Sequence, residues 1–228
     1  PPQRLTMAGA VAAIALIVGS VRLDHTVLTS GVFRYGYVNP PGTRDVLYFK
    51  DGRTATVSVR RNPGSAGVTL ASNAKPDASV GLDWIGDGPV KPGPFTHDTP
   101  TQMLLPLVTL AHVPAAQEAA VIGFGSGMTT HALLGSPTLK HVVTIEIEPA
   151  MIEASRVFFP ANRRAFEDKR SAFVIDDARS YFASRRQRFD LIVSEPSNPW
   201  VSGVSGLFTT EFYGRVREYL TPNGVFAQ

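Results

Sequence analysis

The apolar positions of this chain fall into blocks of different kinds. The first, Leu5 to Val21 (LTMAGAVAAIALIVGSV), is apolar or small throughout and lies between Arg4 and Arg22. It predicts a helix at the short limit for a bilayer span, where about 20 residues are typical. The end of a membrane helix is the leading expectation for residues 1–23. A buried Ala-rich helix and a signal peptide are its rivals, the latter lacking a Met start and a clear cleavage pattern. Residues 24–97 read as a connector followed by a small β-strand domain. Within it, Val46 to Arg60 (VLYFKDGRTATVSVR) carries β-branched and aromatic residues on both sides of Asp51-Gly52, which predicts a hairpin with a type I′ turn. Val68 to Asn73 predicts another strand, and the Gly-, Pro- and Asp-rich segment from Asn73 to Asp98 predicts loop.

From Thr99 the pattern changes. TPTQMLLPLVTLAHV predicts a helix with Pro100 in its first turn. Ala119 to Ile122 is a short apolar run suited to a buried parallel strand, and a helical stretch through Leu134 and a second apolar run from Val142 follow it. A helix from Pro149 to about Phe159, a strand Ser171–Asp176, a helix Asp177–Ser184, a strand Phe189–Glu195, a helix LFTTEFYGRVREYL, a turn TPNG and a strand GVFAQ complete the series. Such alternation predicts an α/β fold with a doubly wound parallel sheet over residues 98–228, its ligand at the carboxyl ends of the strands.

Composition narrows this only a little. The 228 residues carry a net charge of +3 and no cysteine, which removes disulfides and thiolate metal sites. The basic residues are scattered, without a stripe interleaved with aromatics, so nucleic acid is not an expected partner. No histidine has metal-ligand spacing with a second His or carboxylate, so no metal is expected. The chain starts with Pro1-Pro2 and stops at Gln228 as a strand begins, and reads as a piece of a longer protein.

The chemistry should gather around the stretch Ala119–Glu148. Its G-F-G-S-G turn (Gly123, Gly125, Gly127) lets the backbone reverse and approach a ligand. Glu146, roughly 20 residues on at a strand end, suits a grip on ribose hydroxyls. Asp177 can accept from an exocyclic amine such as that of adenine or cap the helix that follows it, and the two roles weigh about equally. Glu195 ends the next strand beside the loop PSNPWVSGVSG. The chain has no Gly-x-Ser-x-Gly elbow and no P-loop lysine, which argues against hydrolase and nucleotide-phosphate chemistry.

The ordered set TQMLLPLVTLAHVP, VIGFGSG, TIEIEPAMIEASRVFFP, IDDARSYF, FDLIVSEPSNPW and GLFTTEFYGRVREYLTPNGVFAQ resembles the polyamine aminopropyltransferases, the spermidine and spermine synthases. KDGRTATVSV and LASNAKPDAS resemble the β appendage of a bacterial branch in which this domain follows membrane helices. The resemblance implies a Rossmann-like S-adenosylmethionine methyltransferase-type sheet with a small N-terminal β appendage. It also implies decarboxylated S-adenosylmethionine, or its parent, as cosubstrate, with no prosthetic group. Gly123, Gly125 and Gly127 would face that ligand, Glu146 would hold the ribose, and Asp177-Ala178 would border the adenine. Gln102, Ser126 and Asn198 fall on the amine side. The implied partner is a small amine or polyamine, and the implied setting is a cytoplasmic domain anchored in the bacterial inner membrane through the N-terminal segment. A homodimer is a further expectation.

The chain departs from that pattern in the amine half. Ser126 stands where the family's glycine motif carries an aspartate, and E-P-S-N-P places Glu195 and Asn198 where the family has two aspartates. An amine must lose a proton before attacking a sulfonium carbon, so a carboxylate within reach is the minimum, and Glu195 is the candidate catalytic residue. Aminopropyl transfer is the first expectation. Methyl transfer to another small acceptor and a non-catalytic nucleoside-sensing domain of a membrane protein remain beside it, because the fold serves many chemistries.

Overall fold

The computed structural model describes residues 2–20, 23–85, 98–196, 198–200 and 203–228. The chain opens with helices α1 (Pro2–Ser20), α2 (His25–Leu28) and α3 (Val32–Tyr35), then strands β1 (Asp45–Asp51), β2 (Thr56–Arg61), β3 (Gly67–Ser72) and β4 (Lys75–Gly81). After α4 (Leu82–Ile85) come α5 (Thr99–His112), β5 (Glu118–Ile122), α6 (Met128–Leu133), β6 (His141–Glu146), α7 (Pro149–Ser155) and α8 (Arg163–Glu167). The series closes with β7 (Ser171–Ile175), α9 (Ala178–Ser184), β8 (Phe189–Ser194), α10 (Thr210–Glu218) and β9 (Leu220–Ala227).

The later strands form a five-stranded sheet in the order β7-β6-β5-β8-β9, all parallel. Strands covered on both faces should be apolar at successive positions, and Ala119, Ala120 and Val121 of β5 are fully buried. Ala120, Ile122 and Ile192 pack with Tyr181, Phe182 and Phe212 of α9 and α10 on one face. Ala119, Val121 and Leu191 pack with Leu133 at the end of α6 and with Leu105 of α5 on the other. The strand order reverses between β5 and β8. In such sheets the crevice for a ligand opens at that reversal.

The first four strands form an antiparallel sheet in the order β1-β2-β3-β4. Val57, Val59, Leu70 and Val80 of that sheet share a core with Met128, Met151, Ala154 and Phe158 of the parallel half. The small sheet therefore roofs the region beside the glycine turn.

Several sequence expectations need correction. The β1–β2 turn is not a tight type I′ turn on Asp51-Gly52. The strands end at Asp51 and restart at Thr56, and Gly52 N–H closes the loop on Ala55 O at 2.9 Å. The cause is a distant carboxylate, Glu148, which draws the loop inward. The segment after Asn73 is not loop throughout. Asn73 and Ala74, with φ of 46° and 62°, make a turn into β4. Pro76 sits in β4 beside a register irregularity on an edge strand, where proline is tolerated. TPNG lies inside β9, whose pairing with β8 shifts register between Leu220 and Val225, so the strand bulges there. The part of the expected loop from 86 to 97 lies outside the described residues.

No helix among the described residues is long and apolar enough to cross a membrane, so the membrane-helix expectation gains no support. The apolar part of α1 begins only at Leu5.

Candidate active site

The glycine turn has the form expected. Gly123, Gly125 and Gly127 have φ of 81°, 52° and 83°, a left-handed region that disfavours side chains. At Gly127 space is also lacking, since an added Cβ would lie 2.6 Å from Phe124 Cζ. Phe124 is held edge-on by Phe166 and Phe173, so it cannot retreat freely. The turn therefore fixes where β5 hands over to α6.

Glu146, at the end of β6, is 6 % exposed. One carboxylate oxygen accepts from Phe124 N–H and the other from Glu148 N–H, each at 2.9 Å. Burial raises its pKa, opposed by these backbone donors. With Ile147 N–H as a third backbone donor, the carboxylate's four or so lone-pair sites still leave room for a ligand hydroxyl. Two residues on, Glu148 caps α7 by accepting from Ala150 N–H at 3.0 Å. It also accepts from Thr54 N–H at 2.6 Å and Thr54 Oγ1 at 2.9 Å, pinning the β1–β2 turn. Burial would raise the Glu148 pKa, but bonds from Thr54, Ala150 and Ala55 outweigh it and lower it. The loop comes so close that a Cβ on Gly52 would lie 2.3 Å from Glu148 Oε1.

A cleft of about 410 Å³ opens at the carboxyl ends of β5, β6, β7 and β8. That volume suits a small-molecule site, for which roughly 300–1,000 Å³ is usual. Of the sequence-predicted residues, Gly123, Gly125, Glu146, Asp177, Ala178, Glu195 and Asn198 line it. Asp177 also caps α9, with Oδ1 accepting from Arg179 N–H at 2.9 Å and Ser180 N–H at 3.1 Å. The two roles weighed from sequence are therefore compatible.

Gln102, Ser126 and Gly127 lie behind the wall instead. Ser126 is 1 % exposed and Gln102 5 % exposed. Their side chains satisfy each other, Ser126 Oγ donating to Gln102 Oε1 in a short contact. Sequence reading missed the roof. Asn73, from the β3–β4 turn, and Lys75 and Asp77, from the start of β4, also line the cleft. Asp77 is held by Lys75 and by Ser72 N–H at 2.8 Å. Only the charged pair KPD marks the turn in the sequence, and its proline points away from a strand assignment.

Glu195 follows β8, its N–H donating to Ile122 O at 2.9 Å across the point where the strand order reverses. Half-buried, it lines the cleft, and its carboxyl is in short contact with Thr129 Oγ1. Burial pushes its pKa up to about 7, with the nearby Asp98 carboxylate adding to the rise, which a hydrogen bond donated by the Thr129 hydroxyl would oppose. A carboxyl raised in this way holds its proton better when folded than when unfolded. Its stabilising contribution is therefore full below the ordinary value of 4.5 and is lost as pH rises through about 7. The change over that window is about 3 kcal/mol at most, at 1.36 kcal/mol per pH unit. Glu195→Gln should flatten the slope. Urea melts of both proteins at pH 5 and pH 8 test this, and an unchanged slope in the variant would contradict the assignment.

Residues 99–228 match the spermine/spermidine synthase domain family model. The chain belongs to this family. It is 30 % identical over 140 residues to the polyamine aminopropyltransferase of Thermococcus onnurineus, covering 61 % of this chain and 49 % of that one. It is 37 % identical over 109 residues to the polyamine aminopropyltransferase of Thermoplasma volcanium, covering 48 % of this chain and 39 % of that one. The chain thus spans about half or less of the length of these relatives. Among solved structures, a spermidine synthase in complex with the transition-state analogue AdoDATO aligns with a TM-score of 0.66 at 23 % identity, covering 79 % of this chain and 56 % of that one. The spermidine synthase of Thermotoga maritima aligns at 0.64 and 23 %, covering 79 % and 55 %. These likenesses establish the fold, an antiparallel sheet ahead of a methyltransferase-like parallel sheet. The family match and the fold agree with the resemblance read from sequence.

Proposed function

We propose that this domain carries out aminopropyl transfer from decarboxylated S-adenosylmethionine to a small amine. The observation that carries the reading is the placement of Glu146, Asp177 and Glu195 around one cleft at the strand reversal. Glu146 would hold the ribose, Asp177 and Ala178 would border the adenine, and the propyl carbon would lie toward Glu195. An acceptor amine, deprotonated at Glu195, would attack that carbon, forming C–N as C–S breaks with its electron pair leaving on sulfur. Methylthioadenosine is the leaving group. Gln102 and Ser126 would shape the amine half from behind the wall, and Asn198 from the cleft itself. The family match and the polyamine aminopropyltransferase relatives support this reading.

Methyl transfer from the carboxylated parent is the second reading, and Lys75 favours it. Among the described residues Lys75 is the one cationic side chain lining the cleft, and its ammonium, now paired with Asp77, would turn to a donor carboxylate. Calorimetry of this protein with methylthioadenosine, S-adenosylmethionine and its decarboxylated form separates the two. Aminopropyl transfer requires tighter binding of the decarboxylated form. Preference for the parent, lost in Lys75→Met, would replace the first reading with the second, and binding of none would remove both.

A further inference from the structure

Helix α5 carries Pro106 in its interior. In an α-helix the carbonyl of residue 102 accepts from the N–H of residue 106, and proline has none. The Gln102 carbonyl instead accepts from Thr129 Oγ1 at 2.9 Å. Gln102 is fixed there by its side chain, whose Nε2 donates to Ser79 O at 3.0 Å and whose Oε1 takes the Ser126 hydroxyl. Thr129 is 1 % exposed, so water does not compete for it.

A threonine hydroxyl owns a single hydrogen. With that hydrogen on the Gln102 carbonyl, Oγ1 can meet a second group only as an acceptor. The second group is the carboxyl of Glu195, in short contact with the same Oγ1. A carboxylate and an oxygen with no free hydrogen would repel, so the hydrogen between them belongs to the carboxyl. We propose that Thr129 is a positioning residue that keeps Glu195 protonated in the ligand-free protein, because its own hydrogen is committed to the carbonyl that Pro106 leaves without a helical donor.

The charged surroundings agree. From the head of α5, Asp98 faces Glu195 and opposes its ionisation. Asp98 is itself tied to the roof, accepting from Ser79 Oγ at 2.8 Å. The other ionisable residues lining the cleft are the acids Asp77, Glu146, Glu148, Asp176 and Asp177 and the cation Lys75, which already pairs with Asp77. None supplies a cation to an ionised Glu195.

The part this proton plays in turnover rests on the proposed function. An incoming alkylammonium expels the stored proton to solvent and pairs with the carboxylate. Glu195 then takes one ammonium proton, the neutral amine attacks the propyl carbon, and the product leaves as a secondary ammonium. Each turnover therefore begins and ends with the proton on Glu195.

The test needs neither donor nor acceptor, so its failure is distinct from failure of the proposed activity. Infrared difference spectra of the ligand-free protein against Glu195→Gln isolate the protonated carboxyl band and its titration midpoint. Pro106→Ala returns an N–H to the Gln102 carbonyl and frees the Thr129 hydrogen for the carboxylate. Hydrogen bonding to the charged form favours it, so the midpoint should fall by about one pH unit. The same substitution in a Thr129→Val background should leave the midpoint where Thr129→Val alone puts it, and Thr129→Ser should keep the wild-type value. No fall in Pro106→Ala, or an equal fall without the hydroxyl, overturns the proposal. Thr129→Ala takes the place of Thr129→Val if the latter does not fold.

Discussion

Glu195→Gln is expected to slow the proposed aminopropyl transfer by about 10²- to 10⁴-fold, the usual worth of a positioned general base. Donor affinity should change by less than about threefold. Glutamine matches the shape of the protonated side chain and can still meet Thr129, so the walls of the cleft stay in place. What it cannot do is take a proton from an ammonium. The proposed nucleoside contacts, Glu146 and Asp177, lie at the end of β6 and at the head of α9, away from the exchange. Single-turnover transfer and calorimetric donor binding, measured on the same preparation, separate the two effects. Loss of both together would mean that Glu195 supports the cleft rather than the chemistry, and retained turnover would remove it from the mechanism.

Glu146→Gln is expected to act on stability and donor binding at once. Both carboxylate oxygens accept from backbone N–H groups, of Phe124 and Glu148. An amide offers one oxygen, so its NH₂ must face the other N–H, donor against donor. Leaving one buried donor unpaired costs about 1–3 kcal/mol, which lowers the melting temperature by roughly 2–10 °C for a chain of this size. Loss of the charged acceptor should weaken nucleoside binding by about 10- to 100-fold, from the 1.5–3 kcal/mol typical of hydrogen bonds to charged groups. Melting curves with and without methylthioadenosine read both quantities. A variant with lowered stability and undiminished affinity would show that Glu146 organises the glycine turn without touching the ribose.

How much of the fold and the site was legible in the sequence depends on the range of the interactions. The parallel sheet was readable because each strand carries its own signal: four apolar residues in a row at β5, a glycine turn after it, an acid at the end of β6. The strand-end side of the cleft was readable for the same reason. Gly123, Glu146 and Asp177 sit at strand ends that any sheet of this kind brings together. The roof was not, because it depends on contacts between distant segments. Asp51-Gly52 carries a local preference for a tight turn, and Glu148, far along the chain, overrides it. Pro76 argues locally against β4, yet an edge strand has room for it. Gln102 and Ser126 were placed on the amine side by resemblance, and whether they touch a ligand or each other depends on a helix packing against a turn. The Thr129 contact had no local signal, although Pro106 in a helical pattern does announce that the carbonyl of residue 102 must look elsewhere.

Glu148 also makes the two sheets one thermodynamic unit at the ligand. It follows Glu146 by two residues, and its carboxylate holds the β1–β2 loop through Thr54 and Ala55. Any ligand that steadies the end of β6 therefore steadies the loop as well. By linkage, part of the binding free energy of such a ligand would go into suppressing openings of the small sheet. Amides of β1 and β2, which supply no cleft-lining residue beyond the turn that joins them, should exchange more slowly with deuterium when the cleft is filled. Substitutions that loosen that sheet should in turn raise the dissociation constant from a distance. The small sheet is then a reporter of occupancy as much as a wall of the site.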